Sequence, residues 1–325
     1  MNKYIGCEQQ LYGVEEMRLV GGKGDGMRLY SVRNGSGLEF TVSLDRCADI
    51  SRVSMGGVNL GYFAPCGYVS PKYYDRRGSE FLKSFTAGFF TTCGLTAVGS
   101  PCTDDGEELG LHGNISNTPC ESAMHYISDG KIHIKAVVRD ASLFSHQLLL
   151  EREYICPLDE NAVYLTDRIT NIGPHTAPLE VLYHCNMGYP MLSEHTEVNI
   201  PSEKVTARNE HAESDIERCF IMEEPQKDYE EMCYYHKMNG KVTVSAVNKK
   251  IGRGVEISYD TSELKCFTEW KMMGEREYVL GLEPGNCLPD GRDVMRKNNM
   301  LEFISPGETR EFHIKFNFME EKQCL

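Results

Sequence analysis

The 325-residue chain has one tryptophan, no C-x-x-C pair among its 13 cysteines, and no apolar run approaching a membrane-spanning helix. Such a helix takes about 18 or more consecutive apolar residues. An odd cysteine count without paired spacing is not a disulfide framework, and a chain this long does not need one. The 10 histidines never recur as H-x-x-x-H or H-E-x-x-H, so neither a structural nor a catalytic zinc site is expected. No cofactor motif appears either. The run from Gly21 to Gly26 does not open a helix and reads as a flexible turn rather than a phosphate cradle. There is no G-x-S-x-G elbow for a serine hydrolase. Basic residues are in deficit, 34 against 48 acidic, for a net charge of −14. That balance repels phosphate backbones and disfavours nucleic acid, while leaving small neutral ligands acceptable. The start, MNKYIGCEQQ, has no apolar signal core. A reducing cytosol is therefore the expected location, with most cysteines acting as small buried hydrophobes.

What the chain does contain is alternation. Leu38, Phe40, Val42 and Leu44 are separated by Glu39, Thr41 and Ser43. Ile132, Ile134 and Ala136 alternate with Lys131, His133 and Lys135. The same period recurs in Val242, Val244 and Ala246, in Val255, Ile257 and Tyr259, and in Phe312, Ile314, Phe316 and Phe318. A period of two marks half-buried antiparallel strands. Gly21-Gly22, Asn34-Gly35, Asp129-Gly130, Asn239-Gly240 and Ser305-Pro306-Gly307 punctuate these runs as tight hairpin turns. Helical periodicity is scarce, and the polar stretch from Ser202 to Arg218 reads as a loop or short helix. With 41% hydrophobic and 25% charged residues, and no linker, the expectation is one all-β domain over residues 1–325, a large antiparallel β-sandwich.

Four segments depart from plain alternation: 83–99, 110–116, 183–190 and 270–286. Each mixes glycine with His, Glu, Lys or aromatic residues inside apolar β context, as expected of a pocket. Cys93 and Cys185 lie in apolar runs and read as core thiols. Glu283 follows the run Tyr278 to Leu282 and precedes Pro284-Gly285, so it stands either at a strand end or in a pocket. His184 and His112 each have apolar neighbours and could be core histidines. The pairs Glu230-Glu231 and Asp104-Asp105 read as solvated loop charges rather than a glycosidase carboxyl pair.

The segments LDRCADI (44–50), FTTCGLTAVG (90–99), LHGNIS (111–116), YHCNMGYP (183–190) and WKMMGEREYVLGLEPGN (270–286) together resemble the DUF4432 family. That family is itself similar to the aldose 1-epimerases of the galactose mutarotase superfamily. The resemblance implies a β-supersandwich with a sugar site on its concave sheet. It implies that His112 binds the sugar, that His184 is the general acid and that Glu283 is the general base. Asn186, Lys271, Trp270 and Lys83 are further expected sugar contacts. The G-R-x-x-N-R arginine of the superfamily has no certain counterpart here, and its sugar-binding aspartate cannot be placed.

The function so implied is interconversion of the α and β anomers of an aldose, with no metal and no cofactor. Glu283, ionised, would take the anomeric proton, and protonated His184 would give a proton to the ring oxygen. Burial would lower the His184 pKa and a neighbouring carboxylate would raise it. Three alternatives stay open. They are a non-catalytic carbohydrate-binding protein of the same fold, a glycoside hydrolase or lyase on a similar sandwich, and an epimerase for an anionic sugar gripped by Lys83, Arg76-Arg77 and Lys271.

Overall fold

Strict alternation becomes strands with one wet and one dry face. Lys131–Ala141 buries Ile132, Ile134, Ala136 and Val138 and exposes Lys131, Lys135 and Arg139. In the computed structural model, which describes residues 3–320, such strands form three antiparallel sheets of five, eight and seven strands, with two small two-stranded pairings beside them. The eight-stranded sheet runs Ser122–Ser128, Lys131–Ala141, Gln147–Pro157, Ala162–Asn171, Thr309–Glu320, Arg253–Asp260, Lys241–Asn248, Thr196–Asn199. The seven-stranded sheet runs Lys204–Ala207, Met232–Lys237, Cys266–Gly274, Glu277–Gly285, Ala177–Met187, Glu302–Ile304. Phe90–Leu95 pairs with the same Ala177–Met187 strand.

The sheets pack through one shared core. Tyr183, Cys185, Leu280, Leu282 and Phe267 of the seven-stranded sheet join Ile134, Leu150, Ile257 and Phe316 of the eight-stranded one. Phe40, Val42 and Ile50 of the five-stranded sheet complete it. A buried ionic network ties all three together. Arg152 holds Asp167 through Nε at 2.8 Å and Nη2 at 2.6 Å, and Asp49 through Nη1 at 2.6 Å. The Tyr183 hydroxyl donates to Asp167 at 2.8 Å. Loss of any partner would strand a charge away from water, which is why buried ions occur in satisfied sets.

Asp129-Gly130 joins neighbouring strands of one sheet, as a tight hairpin should. Asn239-Gly240 does not. It carries the chain from Met232–Lys237 in the seven-stranded sheet to Lys241–Asn248 in the eight-stranded one, and Ser305-Pro306-Gly307 makes a similar crossing. Dipeptide chemistry specifies a reversal of the backbone, not which sheet receives the next strand. The stretch from Ser202 to Arg218 holds short helices, as one of its two readings has it, but also a strand that its polar composition does not suggest. It contains the edge strand Lys204–Ala207, then the short helices Glu210–Glu213 and Ile216–Arg218. Among the described residues no helix is long and apolar enough to cross a membrane.

Candidate active site

Ala177–Met187 is buried on both faces nearly throughout, unlike the alternating strands. Its Tyr183 and Cys185 point into the sandwich core, so His184 and Asn186 must point the other way. The register sets Leu182 opposite Gly285 and Cys185 opposite Leu282, and hence His184 opposite Glu283. On the next strand Thr268 stands opposite Glu283, and Trp270 opposite Gly281. A row of polar side chains thus crosses one face of the sheet and floors a cavity of about 330 Å³. His112, His184, Glu283, Thr268, Trp270 and Arg208 line it.

The centre of the floor is the His184–Glu283 pair, 5% and 2% exposed. His184 Nε2 lies 3.2 Å from Glu283 Oε1, out of line for a hydrogen bond, so this carboxylate oxygen has no hydrogen-bond partner. The Thr268 hydroxyl is likewise buried and unpaired. Behind the imidazole, Nδ1 is 2.7 Å from Asn186 Oδ1, while Asn186 Nδ2 donates to the His184 carbonyl at 2.7 Å. Phe85, His112 and Trp270 surround the ring, with centroids at 5.3, 5.6 and 5.2 Å.

A glycine makes room for the carboxylate. A Cβ on Gly281 would fall 2.3 Å from Glu283 Oε1 and 3.0 Å from Trp270 Cβ. The Glu283 side chain therefore lies over the bare backbone two residues before it on the same face. Gly113 does the equivalent for the wall. Its Cβ would sit 2.3 Å from the Gly94 carbonyl oxygen, so only glycine lets the His112 turn press against that loop. His112 itself has φ 59°, held by its N–H on Gly99 and its carbonyl on the Gly94 N–H.

Burial governs the charges. It pushes Glu283 well above the usual carboxyl range, Glu231 adds to the rise, and Arg208 opposes it. It pulls His184 down to about 4, against the support of the Asn186 hydrogen bond. His112 falls to about 3 for the same reason, with His184 and Arg208 adding to the drop. The neutral forms of both His184 and Glu283 are thus favoured, the opposite of the ionised base and protonated acid expected from the resemblance.

The other expected contacts divide. Trp270 lines the cavity, its indole N–H donating to Glu231 Oε2 at 2.7 Å. Asn186 lies behind His184 and touches the ring instead of lining the cavity. Lys271 is a correction. Adjacent to Trp270 on a strand, it faces the opposite side, fully buried, with Nζ donating to the Arg218 carbonyl at 3.2 Å and 3.7 Å from Asp215. Lys83 is another. It is exposed and paired with Glu80, while Phe81 and Phe85 of that segment turn inward. Glu231, read as a solvated loop charge, is exposed but stands at the cavity and orients Trp270.

Arg208 was missed because it sits in the polar stretch after Ser202. Its Nη2 donates to Ser100 Oγ at 2.8 Å and the Pro289 carbonyl at 3.3 Å, and Nε is 3.4 Å from Asp290. Nη1 faces Cys233 Sγ at 3.9 Å. Only the strand register, which brings Lys204–Ala207 to the edge of the site sheet, could have revealed it.

Sheet order and layering define a galactose mutarotase-like β-sandwich. The DUF4432 model, a domain of unknown function, matches residues 24–318, and the chain belongs to that family. A Klebsiella pneumoniae protein provisionally named an aldose 1-epimerase is 25% identical with a TM-score of 0.90, over 97% of this chain and 86% of that one. A galactose mutarotase-like protein of Clostridium acetobutylicum is 14% identical (TM-score 0.68), over 96% of this chain and 100% of that one. A Lactobacillus acidophilus galactose 1-epimerase is 11% identical (TM-score 0.64), over 95% and 99%. No curated protein matches the chain by sequence.

Proposed function

We propose that the protein is an aldose 1-epimerase-like isomerase that interconverts the α and β anomers of a monosaccharide. The observation that carries this reading is the approach of His184 Nε2 to within 3.2 Å of Glu283 Oε1 in the cavity wall. Ring opening of a hemiacetal needs one group to take a proton from the anomeric oxygen and another to give one to the ring oxygen. Both oxygens are bonded to the same carbon, so acid and base atoms a few ångströms apart suit them. The O1–H bond breaks, C1=O1 forms, and the C1–O5 electron pair takes the second proton. Rotation about C1–C2 and reversal of these transfers give the other anomer. Nothing is consumed, so no cofactor or metal enters the balance.

The cavity volume is near the low end for small-molecule sites, which suits a monosaccharide better than a polymer groove. Trp270 offers an aromatic face to sugar C–H groups. Arg208 already serves Ser100, Pro289 and Asp290, which favours a neutral sugar over an anionic one. Buried free thiols such as Cys47, Cys93 and Cys185 suit a reducing cytosol.

The test is anomer exchange by NMR across a panel of neutral and phosphorylated aldoses, with wild type and Glu283→Gln. Accelerated exchange should fall at least about 10²-fold in the variant. Fluorescence of Trp270, the only tryptophan, should still report sugar binding. Binding without accelerated exchange for any sugar would make the protein a carbohydrate-binding module instead.

A further inference from the structure

We propose that the sugar this site takes is a 6-deoxyaldose, with its C6 methyl group seated against an apolar wall of Phe81, Leu82, Phe85 and Leu111. The proposal rests on the isomerase reading, which gives the sugar its orientation. His184 serves the ring oxygen and Glu283 the anomeric hydroxyl, as the resemblance implies. Only C5 separates C6 from the ring oxygen, so C6 lies at the His184 end of the floor. Sheet order says what stands there. His184 is on Ala177–Met187, and the next strand out is Phe90–Leu95, preceded in the chain by Phe81 and Phe85. The Phe85 ring lies 5.3 Å from that of His184, and the Phe81 ring 5.4 Å from that of His112, centroid to centroid.

The wall is held in place from behind. The 3₁₀ turn Glu80–Lys83 buries Phe81, and Phe85 follows it inward. The two rings pack with Ala87 and the half-buried Leu111 in a small core of their own. Buried Arg46 fixes the segment, donating to the Ser84 carbonyl at 2.7 Å and to the Ser116 carbonyl at 2.6 Å. The Tyr74 hydroxyl donates to the Gly113 carbonyl at 2.9 Å and so ties the His112 turn to the same structure. Leu82, 58% exposed, and the exposed Ser79 line the cavity where it opens to water.

Charge is placed at the other end. Glu231 immediately precedes Met232–Lys237, and the Arg208 N–H is fastened to the Cys233 carbonyl of that strand at 3.0 Å. Sheet order puts this strand beyond Cys266–Gly274, so both charged groups lie across Glu283 from His184. The cations of the apolar segment are turned away, Lys83 to Glu80 and Arg77 to Asp75, and neither lines the cavity. A carboxylate or phosphate on C6 would therefore meet no counter-charge, and burying it so is costly. A C6 hydroxyl would exchange water for phenyl and leucine carbons, leaving a polar group without a partner. A methyl group loses nothing there and gains apolar contact.

The test uses sugars that are alike from C1 to C4 and differ only beyond C5. One set is D-galactose, its 6-deoxy form D-fucose, and D-galacturonic acid; matching gluco, manno and L-series sets cover the other ring configurations. Anomer exchange is followed by NMR, with the uncatalysed rate subtracted. In the set turned over fastest, kcat/KM for the 6-deoxy sugar should exceed that for the hydroxymethyl sugar at least about tenfold, and the uronic acid should show no acceleration. A smaller ratio, or turnover of the uronic acid, would overturn the proposal and leave the isomerase reading standing. Leu82→Asn, at an exposed position that the fold does not depend on, should lower the ratio at least about threefold, and so should Phe85→Tyr if it melts like wild type. An unchanged ratio in Leu82→Asn and in a folded Phe85→Tyr would overturn the assignment to this wall. Should no sugar be turned over, the isomerase reading falls, and Trp270 fluorescence ranks the same sets by affinity. Binding of the 6-deoxy sugar about tenfold tighter than its hydroxymethyl partner would still uphold the apolar wall. Equal binding, or no binding of any member, would overturn it.

Discussion

Substitution of Gly281 by alanine isolates the geometry of the site from its chemistry. The new methyl would lie 2.3 Å from Glu283 Oε1. Ordinary contact begins near about 3.5 Å, so the carboxylate must retreat by roughly 1 Å. No ionisable group is lost and the backbone of an extended strand accepts alanine. The Trp270 Cβ, 3.0 Å from the added carbon, must yield by only a few tenths of an ångström. A displacement of about 1 Å costs a reacting group on the order of 10²-fold in rate. That corresponds to about 2.7 kcal/mol in the barrier. Overpacking costs about 1–3 kcal/mol in a rigid core, and here the low end applies, because the clash is with the free end of a side chain. The assay pairs anomer exchange by NMR with a thermal melt. The expected result is a folded protein, melting within a few degrees of wild type, whose exchange is about a hundredfold slower. A folded Gly281→Ala variant with exchange within about threefold of wild type would refute the idea that the carboxylate position matters.

Two further outcomes follow from the same packing. Lys271→Met removes a buried ammonium that serves Asp215 and the Arg218 carbonyl, so stability should fall toward the lower end of about 3–5 kcal/mol, Asp215 being partly exposed. Exchange per folded molecule should not change, and a shifted KM with an unchanged melt would contradict the placement of Lys271 on the far face. Acid should destabilise the fold through His184, whose ring accepts a proton near 4 when native but near 6.5 when unfolded. The unfolded chain therefore gains the proton first as pH falls, and stability drops between those values by up to about 3 kcal/mol. Glu283 has the opposite sign, its contribution being present in acid and lost as pH rises through its elevated native value. Melting of wild type and His184→Gln from pH 7 to 4 separates the two, since the variant should have the shallower acid slope. Equal slopes would sink the assignment.

The strands with one wet face were legible as alternation, as in Lys131–Ala141 and Lys241–Asn248. The site strands were harder, because a second covering layer erases that alternation and leaves Ala177–Met187 nearly uniformly buried. His184 and Glu283 stood out as polar residues within apolar runs. Trp270 and Lys271 could not both face one cavity, since successive strand residues alternate sides, and period two alone was enough to separate them. Lys83 was misplaced because a short 3₁₀ turn, Glu80–Lys83, carries it outward while Phe81 goes in. Arg208 and Glu231 were not legible, because their segments have the composition of solvated surface. Their roles depend on pairings between residues distant in sequence, such as Ala207 with Tyr234 and Cys233 with Trp270.

The two-sided strand has a consequence for how this site can change. On Ala177–Met187 and Glu277–Gly285, the residues that hold the sheets together, Tyr183, Cys185, Leu280 and Leu282, alternate with His184, Asn186, Gly281 and Glu283. Each strand is in effect a two-sided printed circuit, with the mechanical support soldered to one surface and the chemistry mounted on the other. Side chains on the chemical surface can be exchanged with little disturbance to the contacts beneath. A scaffold wired in this way admits new ligands by changes to one surface, while the contacts between its sheets stay as they are.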